Sequence, residues 1–258
     1  MHFETRAIRV GQDPDPATGS VIVPIYATTN FERPSVEVGE GYEYSRVSNP
    51  TRTAAELCLA SLENANYCFL FASGMAAETA VLGLLRPGDH LLCTRDVYGG
   101  TISLMKSFAP QRGIEVSYVD MRSPECVREA LRPNTKLVWF ESPTNPLTYV
   151  HDIPTLIAIA REHGALTVID NTFATPYLQN PLDWGVDIVL HSVTKYLGGH
   201  SDVLGGAVVF NRDDLCDPIW DQQAIGGGVL SPFESWLLLR GMKTLAVRMR
   251  EHCRNAQA

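Results

Sequence analysis

The chain has 258 residues, of which 45% are hydrophobic and 19% are charged, a composition typical of a folded globular protein rather than a disordered or fibrous one. Its 21 basic and 29 acidic residues give a formal net charge of −8, which disfavours binding to nucleic acid or to an anionic membrane surface. No apolar run approaches the roughly 20 residues that a membrane-spanning helix needs. The charged first residues, Met1 to Arg6, favour a cytoplasmic location.

The first 48 residues carry scattered prolines and glycines and no sustained hydrophobic period, so we expect an extended N-terminal arm over residues 1–48. Its apolar and aromatic side chains would be exposed unless they packed on another surface, which favours a dimer. These side chains are Ile22, Val23, Ile25, Tyr26, Tyr42 and Tyr44.

From residue 49 onward, short apolar runs alternate with longer amphipathic ones, the pattern of parallel strands joined by crossover helices. We therefore predict an α/β domain with a large doubly wound sheet over residues 49–245. The predicted strands are 67–72, 90–94, 114–119, 136–140, 165–169, 187–190 and 206–210. The predicted helices are 52–63, 75–85, 101–112, 124–131, 153–163 and a long stretch over 232–255.

Cysteines are widely scattered and form no C-x-x-C pair, so we expect reduced core thiols rather than disulfides or a metal site. They are Cys58, Cys68, Cys93, Cys126, Cys216 and Cys253.

Polar residues at the strand ends are the first candidates for function, because ligands of open parallel sheets bind at the carboxyl edge of the strands. Ser73-Gly74-Met75 follows the first strand and opens a helix, where backbone N–H groups can bind a phosphate, although ordinary capping explains the same pattern. Asp170 follows the fifth strand. Its carboxylate could hold a protonated ring nitrogen or could only cap the turn that leads to Thr172.

The sixth strand leads into Ser192, Thr194 and Lys195, which place two hydroxyls beside an amine at the same edge. Hydroxyls suit phosphate oxygens, and a lysine that burial or cationic neighbours deprotonate can bond to an aldehyde. The alternative is a solvated loop lysine. His191, His200 and Asp202 could suggest a metal, but no second cluster completes a ligand set, so none is expected.

Six spaced motifs resemble the Cys/Met-metabolism enzymes that depend on pyridoxal 5′-phosphate (PLP), a family that includes cystathionine γ-lyase, γ-synthase and β-lyase, methionine γ-lyase and the O-acylhomoserine sulfhydrylases. The motifs lie at residues 43–52 (EYSR and NPTR), 72–76 (ASGMA), 96–101 (DVYGGT), 141–146 (ESPTNP), 170–173 (DNTF) and 192–202 (SVTKY and GHSD).

The resemblance implies a fold-type I, aspartate-aminotransferase-like large domain with a mixed, mostly parallel seven-stranded sheet, and PLP bound covalently to Lys195. It assigns Asp170 to the ring nitrogen, Tyr98 to the ring face and to proton transfer near the leaving group, and Asn145 to the ring hydroxyl. It places Ser73, Gly74, Met75, Ser192 and Thr194 at the phosphate. Tyr44 and Arg46 would reach the phosphate of a neighbouring subunit in a dimer of dimers.

The function expected from this resemblance is a carbon–sulfur lyase or γ-replacement enzyme of trans-sulfuration that acts on cystathionine or O-acylhomoserine. Gly100 stands where methionine γ-lyases carry a cysteine, which makes methionine γ-lyase less favoured. Methionine γ-lyase and O-acylhomoserine sulfhydrylase are kept as alternatives. The family's substrate-carboxylate arginine has no match, and residues 246–258 look like the start of a missing C-terminal domain. A non-catalytic PLP-binding remnant is therefore a further alternative. A nucleotide-dependent protein is not favoured, since no phosphate-binding G-x-x-x-x-G-K motif is present.

Overall fold

The computed structural model describes residues 1–33 and 41–258, and its centre is a seven-stranded sheet. The strand order is β1-β7-β6-β5-β4-β2-β3, and β7 runs antiparallel to both of its neighbours while the other pairs are parallel. The predicted mixed, mostly parallel sheet is thus confirmed, with all seven strands. They are β1 (Tyr67–Phe71), β2 (His90–Thr94), β3 (Glu115–Val119), β4 (Thr135–Glu141), β5 (Leu166–Asp170), β6 (Ile188–Ser192) and β7 (Gly206–Phe210).

Ten α-helices are formed by the described residues. They are α1 (Phe3–Arg9), α2 (Pro50–Leu62), α3 (Gly74–Leu82), α4 (Gly99–Ser107), α5 (Pro124–Ala130), α6 (Ile153–His163), α7 (Thr175–Leu178), α8 (Cys216–Trp220), α9 (Pro232–Met242) and α10 (Leu245–Ala256). Side-chain caps set several starts: Asn49, Ser73, Ser123, Asp152 and Ser231 each accept a backbone N–H of the first turn.

The sheet separates two hydrophobic clusters, because successive side chains of a strand point to opposite faces. Val138 and Phe140 of β4 belong to the cluster beneath α2 and α6, whereas Leu137 and Trp139 belong to the cluster beneath α3 and α4. All four are fully buried. Helices on both faces therefore leave the ends of the strands as the places where polar groups can meet.

Two predicted helices are shorter than expected. The stretch 232–255 is divided between α9 and α10, because the Gly241 carbonyl accepts the N–H of Thr244 and a bond from Arg248 instead of continuing the α-helical ladder. The stretch 101–112 ends as an α-helix at Ser107 and continues as a 3₁₀ turn, Pro110–Arg112, closed by Gly113 in a left-handed conformation.

The N-terminal segment is only partly the extended arm that the sequence predicts. Residues 3–9 form α1, whose Ala7 is buried against α2, and Arg6 bonds to the Asn64 side chain at 2.7 Å. Further along, the Thr51 hydroxyl donates to the Pro24 carbonyl at 2.8 Å and accepts the Tyr26 N–H at 3.0 Å. Residues 34–40 of the expected arm lie outside the described residues.

The thiols are all free, and three of them, Cys58, Cys68 and Cys93, are buried. Burial raises the pKa of the Cys58 thiol to about 12, which makes it unreactive. The expectation of core thiols fails for Cys126, which is exposed. Within residues 1–33 and 41–258, every helix is too short or too polar to cross a bilayer.

Candidate active site

A cavity of about 150 Å³ lies at the carboxyl edge of the sheet and gathers nine of the eleven predicted site residues. Loops after β1, β2, β4, β5 and β6 converge there, as expected for an open α/β sheet. These nine residues are Ser73, Gly74, Met75, Tyr98, Asn145, Asp170, Ser192, Thr194 and Lys195. A larger cavity of about 680 Å³ at the opposite edge of the sheet contains none of them.

The start of α3 forms one wall of the cavity. The Ser73 hydroxyl accepts the N–H of Ala76 at 3.1 Å, so the predicted cap is present. The N–H groups of Gly74 and Met75 lie in the first turn, where a helix supplies no partner of its own. Position 206 requires glycine, because a Cβ there would lie 2.3 Å from the Ser73 carbonyl oxygen. A Cβ on Gly74 would lie 3.2 Å from the Ser192 Cβ, a tight contact that a small shift relieves.

The two predicted hydroxyls differ in availability. The Thr194 hydroxyl already donates to the Gly205 carbonyl at 3.2 Å and accepts the Gly205 N–H at 3.1 Å, so it also fixes the loop before β7. The Ser192 hydroxyl has no partner among the residues that the structure describes, and it faces the start of α3. Ser192 is therefore the better placed of the two to receive an anion.

Asp170 combines the two roles that the sequence left open. One carboxylate oxygen accepts the Thr172 N–H at 2.8 Å, which is a cap, and the side chain also lines the cavity. Burial raises the pKa of Asp170, while its bonds to Thr172 and the charges of His191 and Lys195 act in the opposite direction. A cation placed in the cavity would favour the ionised carboxylate.

Lys195 lines the cavity, and its side chain is exposed. It follows β6 in a turn in which its N–H bonds to the Ser192 carbonyl at 3.2 Å. Besides Tyr98, the other ionisable side chains that line the cavity are three carboxyls and His191. Tyr98 is 44% exposed, so its ring is open to a ligand.

Two buried carboxyls in the cavity had no role in the sequence interpretation. Glu141 ends β4, directly beside Asp170 in the sheet register, and accepts the Tyr98 N–H at 2.9 Å. Glu78 of α3 accepts the Thr101 hydroxyl at 3.0 Å, and its second oxygen has no partner within the described residues. Burial and neighbouring carboxyls raise the pKa of Glu141 to about 9 and that of Glu78 to about 8.

His191 forms part of the cavity wall through a buried network. Its Nε2 lies 2.6 Å from a carboxylate oxygen of Glu63, and the Asn171 amide donates to the same oxygen at 2.9 Å. His200 instead contacts the Gly198 carbonyl at 2.8 Å. No group of three or more His, Cys, Asp or Glu side chains in residues 1–33 and 41–258 is arranged to hold a metal ion.

Tyr44 and Arg46 do not line the cavity of their own chain. The Arg46 guanidinium lies 5.3 Å from the centre of the Tyr44 ring and donates to the Ala224 carbonyl. Tyr44 is 40% exposed. Both side chains are therefore exposed, and neither shares the cavity with the other nine residues.

The family model for Cys/Met metabolism PLP-dependent enzymes matches residues 4–258, nearly the whole chain. The chain belongs to this family. Its cofactor is accordingly PLP, and the cavity suits that molecule: a helix start and a free hydroxyl for a phosphate, a carboxylate for a ring nitrogen and an amine for an aldehyde. The cofactor of the family and the groups that line this cavity are thus in agreement.

Relatives within the Cys/Met metabolism PLP-dependent family have three different names at almost equal identity. A probable cystathionine gamma-synthase of Herpetosiphon aurantiacus is 51% identical over 99% of this chain and 80% of its own length. A cystathionine gamma-lyase of Bacillus subtilis is 49% identical (100% and 68%), and a cystathionine beta-lyase of Coxiella burnetii is 48% identical (99% and 66%). These relatives are PLP-dependent trans-sulfuration enzymes.

A solved structure agrees with the family assignment. The crystal structure of cystathionine gamma-lyase from Lactobacillus plantarum, complexed with L-serine, superposes with a TM-score of 0.97 at 47% identity. It is matched over 100% of this chain and 67% of its own. The likeness covers the whole sheet and every element around the cavity.

Proposed function

We propose that this cavity binds PLP on Lys195 and that the protein uses it to break or exchange a carbon–sulfur bond in cystathionine, or to replace the acyl group of O-acylhomoserine. One observation carries the proposal: the Lys195 amine, the Asp170 carboxylate and the start of α3 line one cavity. A cytoplasmic homo-oligomer is part of the proposal. The position of Arg46 outside its own cavity supports the homo-oligomer.

The residues around the cavity divide into those that hold the cofactor and those that move protons. Gly74 and Met75 would offer N–H groups to the phosphate, and Ser192 its hydroxyl. Asn145 would bond to the ring hydroxyl, and the Tyr98 ring would cover one ring face. Asp170 would keep a proton on the ring nitrogen through a charge-assisted hydrogen bond.

When bound, PLP supplies an electron sink that stabilises negative charge at the α-carbon of an amino acid. The Lys195 amine would take the α-proton and pass it onward, since it is an exposed base that lines the same cavity as Asp170. The Tyr98 hydroxyl would give or take the proton of the leaving group. The ionised Asp170 strengthens the sink by holding its partner proton in place.

The γ-lyases, β-lyases and γ-synthases share the same chemistry up to the loss of the α-proton. The proposed reaction class rests on these shared steps. None of the residues in the cavity separates the three outcomes, and the relatives differ by only three percentage points in identity between 48% and 51%. All three enzyme names refer to cystathionine, either as the substrate or as the product. Cystathionine and an O-acylhomoserine are therefore the two substrates to test.

The decisive experiment supplies cystathionine, or an O-acylhomoserine with cysteine, to the PLP-loaded protein and separates keto-acid release from thioether formation. We expect one of these products from the wild-type chain and none from Lys195→Ala, because that variant lacks both the covalent anchor and the base. Circular dichroism in the far ultraviolet checks that the variant is folded. Equal product from the variant would reject Lys195 as the centre of the reaction.

A further inference from the structure

Tyr98 is held in place from outside its own helix. It stands at the N-terminal end of α4, and its own side chain makes no capping bond there. Its N–H instead donates to the Glu141 carboxyl of β4 at 2.9 Å. Glu141 is only 5% exposed, so water cannot readily replace this bond.

The Tyr98 ring also lies close to Gly100 and to the Met75 side chain. A Cβ at position 100 would lie 2.3 Å from the ring Cε1 and 2.8 Å from the Met75 sulfur. The ring therefore lies close over the first turn of α4, beside the start of α3. The backbone bond to Glu141 fixes where the Tyr98 main chain stands, and the missing side chain at Gly100 gives the ring the space that it occupies.

We propose that Glu141 is a positioning residue for Tyr98: its buried carboxyl binds the Tyr98 N–H and so sets where the aromatic ring stands over the cofactor. This inference deepens the proposed function and rests on it. Glu141 makes no bond to the reacting atoms in this account. It acts through Tyr98, and its own strand fixes it beside Asp170.

The charge state of Glu141 fits an acceptor that is neutral near pH 7. The titratable groups that face it are Asp170 on β5, Glu78 on α3 and Asp96 after β2, all of them acids. Burial, these three carboxyls and the opposing Tyr98 bond place the pKa of Glu141 at about 9. A glutamine carbonyl, which is neutral and of the same length, should therefore accept the Tyr98 N–H equally well.

The test compares Glu141→Gln, Glu141→Asp and Glu141→Leu, prepared without cofactor and titrated with PLP. The first readout is the PLP dissociation constant, and the second is visible-region circular dichroism of the bound chromophore, which depends on its asymmetric aromatic surroundings. Glu56 supplies a control for the general loss of a buried carboxyl: it accepts the Leu70 N–H at 3.0 Å and also contacts Arg52 and Gln223, but it lies outside the cavity.

We expect Glu141→Gln to keep both readouts, since the acceptor is retained. Glu141→Leu should weaken PLP binding about tenfold, the scale of one hydrogen bond, and should reduce the dichroism toward that of Tyr98→Ala. Glu141→Asp, whose carboxyl is one methylene short of the N–H, should fall between the two and covers the case in which the leucine variant does not fold. In a Tyr98→Ala background, Glu141→Leu should cause little further loss of PLP affinity or of dichroism.

Three results separate the possible failures. Unchanged affinity and dichroism in both the Leu and Asp variants would reject the positioning role. An equal loss in a Glu56→Leu variant that is folded by far-ultraviolet circular dichroism would also reject it, by showing that any missing buried carboxyl has this effect. Absence of PLP binding at Lys195 in the wild-type protein would instead overturn the proposed function itself.

Discussion

Gly100 is the residue on which the close fit of Tyr98 depends. The glycine has no side chain, and the ring occupies the space that one would fill, 2.3 Å from Cε1 to an added Cβ. Its neighbour Gly99 belongs to the same helical turn but has open space where its Cβ would lie. A side chain would therefore fit at Gly99 but not at Gly100 unless the Tyr98 ring moved, a difference that the sequence alone does not show.

Gly100→Ala should displace the Tyr98 ring and so weaken PLP binding by roughly three- to tenfold, comparable to the loss of one aromatic contact. Gly99→Ala is the matched control and should leave binding unchanged, with a small gain in helix stability because alanine favours a helix. PLP titration of both variants, followed by absorbance, decides the matter. The same affinity in both would mean that the ring does not need this space.

The site residues that could be predicted from the sequence are those that follow a recognisable strand. Asp170 and Lys195 stand at strand ends in well-marked motifs, and the structure brings them to one cavity. Glu141 obeys the same rule, since it directly follows the predicted fourth strand just as Asp170 follows the fifth, but the sequence interpretation gave it no role. Glu78 has no such signal: it lies inside α3, and only the folded helix shows that it faces Asp170.

Elements buried on both faces are predictable because continuous apolar runs have few other uses. Strand β2 is buried at every position, and its bounds are those that the sequence indicates. Helix ends that depend on distant groups are not predictable in this way. The end of α9 is set partly by Arg248, seven residues beyond the Gly241 carbonyl that it binds. Helix α1 is short, and its burial against α2 is a tertiary effect.

Glu78 of helix α3 lowers the free energy of unfolding of the cofactor-free protein when its carboxyl ionises. Folding raises the pKa of Glu78 from its usual 4.5 to about 8, chiefly by burial. A raised carboxyl pKa means that the neutral form is favoured in the folded state. Its contribution to stability is therefore complete below the unfolded pKa and is lost as the pH rises through the folded one.

Between about pH 4.5 and about 8, this one group should lower the free energy of unfolding by about 1.4 kcal/mol per pH unit. Glu78→Gln, which cannot ionise, should flatten the decline by that slope. Urea unfolding of the cofactor-free protein at several pH values measures it. Glu125→Gln is the control, since the pKa of that exposed carboxyl is lowered and not raised. Equal slopes in wild type and Glu78→Gln would show that Glu78 is not desolvated.

At the scale of the whole molecule, Arg46, the side chain best suited to bind a phosphate, does not line the cavity of its own chain. Gly74, Met75 and Ser192 offer neutral donors, whereas Arg46 lies at the surface against Tyr44 and the Ala224 carbonyl. A phosphate dianion bound by these neutral donors alone would have no arginine to balance its two negative charges. A neighbouring chain that brings its own Arg46 to this cavity would remove that imbalance through paired N–H donors.

This arrangement predicts complementation between two defective chains. Arg46→Ala keeps Lys195 but cannot supply the arginine to its neighbour, and Lys195→Ala keeps Arg46 but cannot attach the cofactor. A mixed dimer would contain one intact site, formed by Lys195 of the first chain and Arg46 of the second. Mixing the two, adding PLP at low concentration and reducing with borohydride should therefore raise the label on Lys195 of the Arg46→Ala chain.

Two controls make the result specific to exchange of subunits. Lys195→Ala that also carries Arg46→Ala should give no increase, because neither chain then supplies the arginine. The labelled peptide should contain Lys195 and no other lysine, as peptide mapping shows. Labelling that is independent of the second chain would mean that Arg46 serves its own cavity or none, and each chain would then bind its cofactor without a partner.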